Sequence, residues 1–355
     1  MTLRPAHIAI ILLCAALSGC MKWEYGELED FATPSQGLFI VCEGNFQYGN
    51  ATLSYYDPAT SRVQNEVFMR ANGMKLGDVA QSMTMHGGRG WIVVNNSHVV
   101  FAIDASTFKE TGRIENLPSP RYIHFVDDTK AYVTQLWDNR ISIVDPRRYS
   151  VTGYIEVPGM EAATGSTEQM VQLGQYVYCN CWSYQRQIIK IDTRTDEVTD
   201  VLDVGVQPRS IAADNRGRLW VLTDGGYAGN AAGHERPALL CVDTESFRVV
   251  LRMRLESGDT PFDLCTDSSG STLYWINGGV WRMDVDSPGL PDKPFIPAPV
   301  KGRFYSLTVS PADGNVYVAD AADYQQAATV YRYDDYARLV DSFIVGVTPG
   351  AFCWK

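Results

Sequence analysis

The stretch YCNCWSYQRQ, Tyr178 to Gln187, sets two thiols two residues apart beside a tryptophan, a tyrosine and an arginine. Cys179 and Cys181 could hold a metal, form a redox pair or flank a ligand-binding loop. A metal needs further ligands, and the histidines do not supply them: His7, His86, His98, His124 and His234 are scattered, with no H-E-x-x-H and no C-x-x-C. In an extended strand, residues two apart share a face but are poorly placed to bridge each other. Both thiols are therefore expected to pack as small hydrophobes, as are Cys42, Cys241, Cys265 and Cys353, which also fall in predicted strands. Asp284-Val-Asp286-Ser-Pro-Gly resembles half a calcium loop without its acidic closure and is better explained as a turn. There is no G-x-S-x-G nucleophile motif.

The elements that position these residues repeat. An apolar strand ending in aspartate recurs as LSYYD, VFAID, ISIVD, IIKID, LLCVD, VWRMD and VYRYD, ending at Asp57, Asp104, Asp145, Asp192, Asp243, Asp284 and Asp334. Near-periodic units of this length mark a repeat architecture. Within each unit a strand such as PRYIHFV or PRSIAAD leads through a tight polar turn to a strand carrying an aromatic, such as LWVLT or NVYVA. The Asp strand and a closing strand follow. Four short antiparallel strands per unit make a propeller blade, so the expected fold is an all-β, seven-bladed β-propeller with four-stranded blades. The domain opens at GLFIVCEGN, which aligns with a second strand, and ends at VTPGAFCWK, which aligns with a first strand. The C-terminal strand is therefore expected to complete the N-terminal blade and close the ring.

In such blades the loops between second and third strands share one face with the inter-blade loops. The former carry Phe46, Gln47, Tyr48, Trp137, Trp182, Tyr184, Tyr227 and Tyr324. The latter are expected to carry Arg121, Tyr122, Gln169, Arg209, Phe262 and Tyr305. The opposite face holds minimal polar turns. Amphipathic aromatics offer rigid contact area with a polar tip, so the loop-rich face is the expected ligand-binding face, with some of these aromatics packing between blades instead. The inner strands SIAAD, DLCTD and SLTVS show no consistent ligand set, which counts against a metal at the channel and against a propeller lyase or lactonase.

Outside the propeller, MTLRPAHIAIILLCAALSGC has a basic Arg4 and an apolar run from Ile8 to Leu17, too short to span a bilayer. Its LSGC is similar to the lipobox of bacterial lipoproteins. That resemblance implies a signal peptide over 1–19, lipidation at Cys20 and a tether over 20–36, ahead of a propeller over 37–355. The acidic residues Glu24, Glu27, Glu29 and Asp30 read equally as a solvated tether or as the surface-export signal that they resemble in outer-membrane lipoproteins of Bacteroidetes. The net charge of −11 argues against a nucleic-acid partner.

YYDPAT, KIDTRT and VGVQPRSIAAD-x-x-GRLWVLTDGG resemble YncE-like seven-bladed propellers. With the lipobox and EGNFQYGNATLSYYDPAT, the chain resembles the surface-exposed cobalamin-binding lipoproteins of gut Bacteroidetes (BtuG-like) over essentially its whole length after the signal. The resemblance implies a lipid-anchored protein of the outer membrane, facing the cell exterior. Such a protein binds cobalamin and related corrinoids and passes them to a TonB-dependent transporter, with no enzymatic activity and no cofactor beyond the carried ligand. The candidate residues come from loop position, not from a family motif. The alternative is a surface scaffold whose propeller face binds a protein or a glycan.

Overall fold

The computed structural model describes residues 28–355 and shows the expected all-β, seven-bladed propeller. Blade 1 is ordered Pro349–Trp354, Leu38–Cys42, Thr52–Asp57, Arg62–Gln64 from the axis outward. The C-terminal strand thus lies innermost against the first strand of the domain, with Leu38 opposite Trp354 and Val41 opposite Ala351. Blades 2 to 5 and 7 each contain four strands in chain order, starting at the inner strands Ala80–His86, Pro120–Phe125, Thr167–Leu173, Pro208–Ala213 and Phe304–Val309. Blade 6 differs, having only Phe262–Thr266, Thr272–Asn277 and Gly279–Asp284. Where its outer strand is expected, the chain carries Pro288, Pro291, Pro294, Pro297 and Pro299, and proline cannot donate to a ladder. A single bridge, Val280 to Ile296, remains of that pairing.

Each repeated aspartate has one structural task. Its carboxylate accepts a backbone N–H two or three residues on, at 2.7–2.9 Å, and so caps the turn between third and outer strands. The aromatic of the second strand fills the space between neighbouring blades, where Trp91, Tyr132, Tyr178, Trp220, Trp275 and Tyr317 are all buried. The repeat visible in sequence is therefore a packing and turn repeat. Cys179 and Cys181 behave as expected: both are free and buried in one cluster with Tyr132, Val177, Ile189 and Ile191. The turn after Asp284 is likewise an aspartate-capped turn, Asp286 N–H donating to Asp284 at 2.7 Å.

Residues 28–36 lie against the propeller. Phe31 is buried with its ring 4.9 Å from Phe108. Arg70 Nε donates to Glu29 at 2.8 Å, Lys109 Nζ pairs with Asp30 at 2.6 Å, and Lys355 Nζ donates to Thr33 Oγ1 at 2.9 Å. Cys20 and the signal segment lie outside the described residues.

Removing residues 349–355 deprives blade 1 of its inner strand and leaves Ser306 Oγ, which donates to Pro349 O at 2.6 Å, without its acceptor. Loss of cooperative thermal unfolding, followed by near-UV circular dichroism, is the expected result; a cooperative melt within a few degrees of the full chain contradicts ring closure. Burial also raises the thiols, Cys42 and Cys353 to about 12 and Cys241 to about 11. At pH 8 the six cysteines of the described residues should resist an aromatic disulfide reagent until denaturant is added. Prompt reaction of the native chain would show an accessible thiolate.

Candidate functional site

The site follows from an irregularity that every inner strand shares. As each inner strand leaves the loop-rich face, its pairing register shifts at the same place. The bulged residues are Gln81, Arg121, Glu168, Arg209, Asp263, Tyr305 and Gly350, one per blade. A bulge releases a residue from alternation and re-aims its side chain. Here it turns seven positions toward the axis, and all seven line one pocket of about 400 Å³ at the mouth of the channel. The bulges are held by stitches between blades: Asn95 Nδ2 donates to Pro120 O at 3.0 Å, and Asn180 Nδ2 to Pro208 O at 2.7 Å. Gly350 occupies the seventh position, where a Cβ would require the Glu43 carboxyl to move. Glu43, just beyond the second strand of blade 1, supplies the polar group that Gly350 cannot.

The pocket floor mixes charges. Arg121 Nε donates to both oxygens of Glu168, at 2.9 and 3.1 Å, and Nη1 donates to Gln81. Tyr305 OH donates to Glu43 at 3.2 Å. Burial pushes the Glu43 carboxyl up to about 7, against the opposing charge of Arg121. Burial likewise raises Asp263 to about 7, although it accepts the Leu307 N–H. Glu43 and Asp263 both line the pocket and are half-buried. Burial also raises the Tyr122 and Tyr305 hydroxyls, keeping them neutral donors.

Aromatic rings ring this floor. Phe46, Trp137, Trp182 and Phe262 line the pocket. Phe46 and Trp137 are each 58% exposed, so they rise from the rim with open faces. Trp137 has φ 59°, and Tyr184 (φ 55°) and Tyr324 (φ 62°) share that left-handed backbone, as does Gln47 (φ 70°). The same left-handed backbone recurs at Ser61, Phe108, Tyr149, Asp196, Phe247 and Ala337 in turns of the opposite face, so it belongs to the turns of the propeller at both ends. Trp182 is anchored by Nε1 donating to Asp224 at 2.9 Å.

The structure thus gathers Phe46, Arg121, Tyr122, Trp137, Gln169, Trp182, Arg209, Phe262 and Tyr305 around one pocket. It corrects how several of them get there. Arg121, Tyr122, Gln169, Arg209, Phe262 and Tyr305 stand on the inner strands and not in inter-blade loops. Gln169 has a stitching task, its Oε1 accepting Ile211 N–H at 3.1 Å. The other candidates lie farther out. Gln47 and Tyr48 are exposed on the blade 1 loop, Tyr184 and Tyr227 meet hydroxyl to hydroxyl at 3.3 Å, and Tyr324 packs edge-on to Tyr305 at 5.5 Å. Sequence reasoning missed Glu43, Gln81, Asn95, Glu168 and Asp263. For Gln81, Glu168 and Asp263 the signal is a polar residue at the second position of an inner strand, as in TEQM and PFDL; Glu43 and Asn95 directly follow second strands. Among the described residues no group of three or more His, Cys, Asp or Glu is placed to hold a metal ion.

A family model described as Domain of unknown function (DUF5074) matches residues 36–343. Among solved structures the chain is similar to a quinonprotein alcohol dehydrogenase-like protein of Bacteroides thetaiotaomicron, with TM-score 0.67 and 13% identity over 90% of this chain and 78% of that one. It is also similar to the periplasmic gluconolactonase of Pseudomonas aeruginosa, with TM-score 0.64 and 12% identity over 90% and 98%. A third is hydrazine synthase of Kuenenia stuttgartiensis, with TM-score 0.59 and 18% identity over 77% and 89%. At these identities the likeness is one of fold. No curated protein matches the chain.

Raised carboxyls make stability depend on pH. Between about 4 and 7 the folded chain holds protons that the unfolded chain has released, so Glu43 and Asp263 lower stability as pH rises through that window. Each shift corresponds to at most about 4 kcal/mol. Asp263→Asn keeps an acceptor for Leu307 N–H. It should resist urea better than the native chain at pH 8 and equally at pH 4. Parallel curves at both pH values would show that the carboxyl is fully solvated.

Proposed function

Because the chain belongs to the DUF5074 family, whose description assigns no function, we propose its role from the site: it binds cobalamin and related corrinoids on the loop-rich propeller face and does not transform them. The observation that carries this reading is an aromatic rim, set mostly on the loops after the second strands, around a floor of mixed donors and acceptors carried mainly by the inner strands. A corrinoid is large, part-planar and bordered by amides. Its apolar faces suit Phe46, Trp137, Trp182 and Phe262, and its amides suit Gln81, Tyr122, Tyr305 and the charged floor. A pocket of about 400 Å³ is at the low end of the roughly 300–1,000 Å³ usual for small ligands. A corrinoid would therefore seat one edge in the pocket and lie across the rim, where Trp137 stands exposed.

The wider role follows from the resemblance and from the strap. Gln36 and Gly37 precede Leu38 at the end of blade 1 remote from Glu43, and residues 28–36 run beside Ala105 and Ser106 at that same end. An anchor at Cys20 would thus hold the propeller by the face opposite the pocket and leave the pocket open. We assign the chain to the outer membrane as a lipid-anchored capture protein that delivers its ligand to a TonB-dependent transporter. Delivery requires the transporter complex to favour a weaker-binding state, since tight capture alone retains the ligand.

Cyanocobalamin should bind the purified chain with micromolar or tighter affinity in calorimetry. Trp137→Ala and Trp182→Ala should each weaken it about ten- to a hundred-fold, as loss of a central aromatic anchor does. Tyr184→Ala, at the periphery, should change it little. Absence of heat and of thermal stabilisation at saturating micromolar cyanocobalamin sinks the corrinoid reading. Capture of a glycan or a surface protein under those conditions would favour the scaffold.

A further inference from the structure

Arg121 and Arg209 hold equivalent bulge positions in blades 3 and 5, but their donors are used differently. Arg121 is committed to Glu168 and Gln81, as described. Among the described residues none accepts a hydrogen bond from Arg209. Its nearest carboxylate oxygen, Asp224 Oδ2, is 3.9 Å away. That carboxylate is already occupied: it accepts Trp182 Nε1 at 2.9 Å, Gln207 Nε2 at 3.0 and 3.1 Å, and Gly226 N–H at 2.9 Å. The guanidinium carbon of Arg209 lies 5.2 Å from the Trp182 ring centre and 5.1 Å from that of Phe262. Two rings thus hold the cation in place without accepting its in-plane N–H groups. None of the remaining pocket acids accepts a hydrogen bond from it. Glu168 is spent on Arg121, while burial biases Glu43 and Asp263 toward their neutral forms up to about 7. The result is a partly exposed guanidinium that lines the pocket and whose N–H donors meet no acceptor among the described residues.

We propose that Arg209 is an anion reader and that it takes the phosphodiester of a bound ligand between the Trp182 and Phe262 rings. A planar fork of donors matches two phosphate oxygens, and a charge-assisted pair of this kind is among the stronger directional contacts available to a protein. This inference rests on the corrinoid reading and deepens it. In a cobalamin the phosphodiester belongs to the nucleotide loop, so Arg209 would distinguish complete cobalamins from cobinamides, which lack it.

The test is a cycle of two ligands and two proteins, with Kd measured by calorimetry. The native chain should bind cyanocobalamin about ten- to a hundred-fold more tightly than dicyanocobinamide. Arg209→Gln should lose that factor for cyanocobalamin and be nearly unchanged for dicyanocobinamide. Arg209→Lys, which keeps the charge without the fork, should recover only part of it. Equal losses on both ligands would mean that Arg209 only props the two rings, and would overturn the proposal. So would a native chain that binds both ligands equally. Thermal melts of the variants identify any that fail to fold, in which case Arg209→Lys carries the comparison. If the native chain binds neither ligand, the corrinoid reading falls while the anion assignment is judged separately, by titrating diphenyl phosphate against tryptophan fluorescence. A saturable change in the native chain that Arg209→Gln abolishes upholds the reader; no change in the native chain overturns it.

Discussion

The seven blades form one object because the last strand of the chain is the first strand of the ring. Pro349–Trp354 pairs with Leu38–Cys42, so the blade begun at the N-terminus is completed only when the C-terminus arrives. A blade cannot bury both of its faces alone, and every blade relies on two neighbours. Closure supplies the missing neighbour at the seam: Tyr317 of blade 7 packs against Trp354 at 5.3 Å, and Tyr56 against Phe343 at 4.0 Å. Closure also sets the distance across the channel, and therefore which side chains on the inner strands can reach one another.

The pocket inherits its rigidity from that ring. Its floor is carried on inner strands, and its polar groups are there because each inner strand bulges at the mouth. An unbulged strand would alternate and send the same side chains into the gap between blades, where Glu168 or Arg209 would be costly. Turning them toward the axis puts them where water or a ligand can meet them. The cost is partial: two carboxyls still lie deep enough that their ordinary ionisation is suppressed. Arg121 and Glu168 resolve the conflict by pairing, whereas Arg209 resolves it by resting on aromatic rings. Two arginines in equivalent positions thus have different capacities for an incoming group.

Much of the architecture was legible because propeller blades advertise themselves through local chemistry. The aspartates at 57, 104, 145, 192, 243, 284 and 334 cap turns within three residues, and the second-strand aromatics pack at a fixed place, so both recur at blade spacing. Cys179 and Cys181 were readable as packing residues by alternation alone. Blade 6 was less so: its Asp284 follows the pattern, but the prolines after it remove the donors that an outer strand needs. Among the site residues, Trp137 and Trp182 could be found as loop aromatics next to second strands. Glu43, Glu168 and Asp263 could not, because a single polar residue at a strand end looks like ordinary loop chemistry until seven strands are superposed.

The repeat, its strand order, the split blade at the termini and the face with the longer aromatic loops are all encoded along the chain. Each of these depends on interactions between residues near in the chain or on simple alternation. The common bulge of the inner strands, the convergence of their second residues on one pocket, and the hydrogen bonding of Arg121 to an acid where Arg209 has none appear only once the chain is folded. Those facts depend on groups tens to hundreds of residues apart: Arg121 with Glu168, Tyr305 with Glu43, Arg209 with Trp182 and Phe262. Their distances are set by closure of the ring, and no local pattern encodes them.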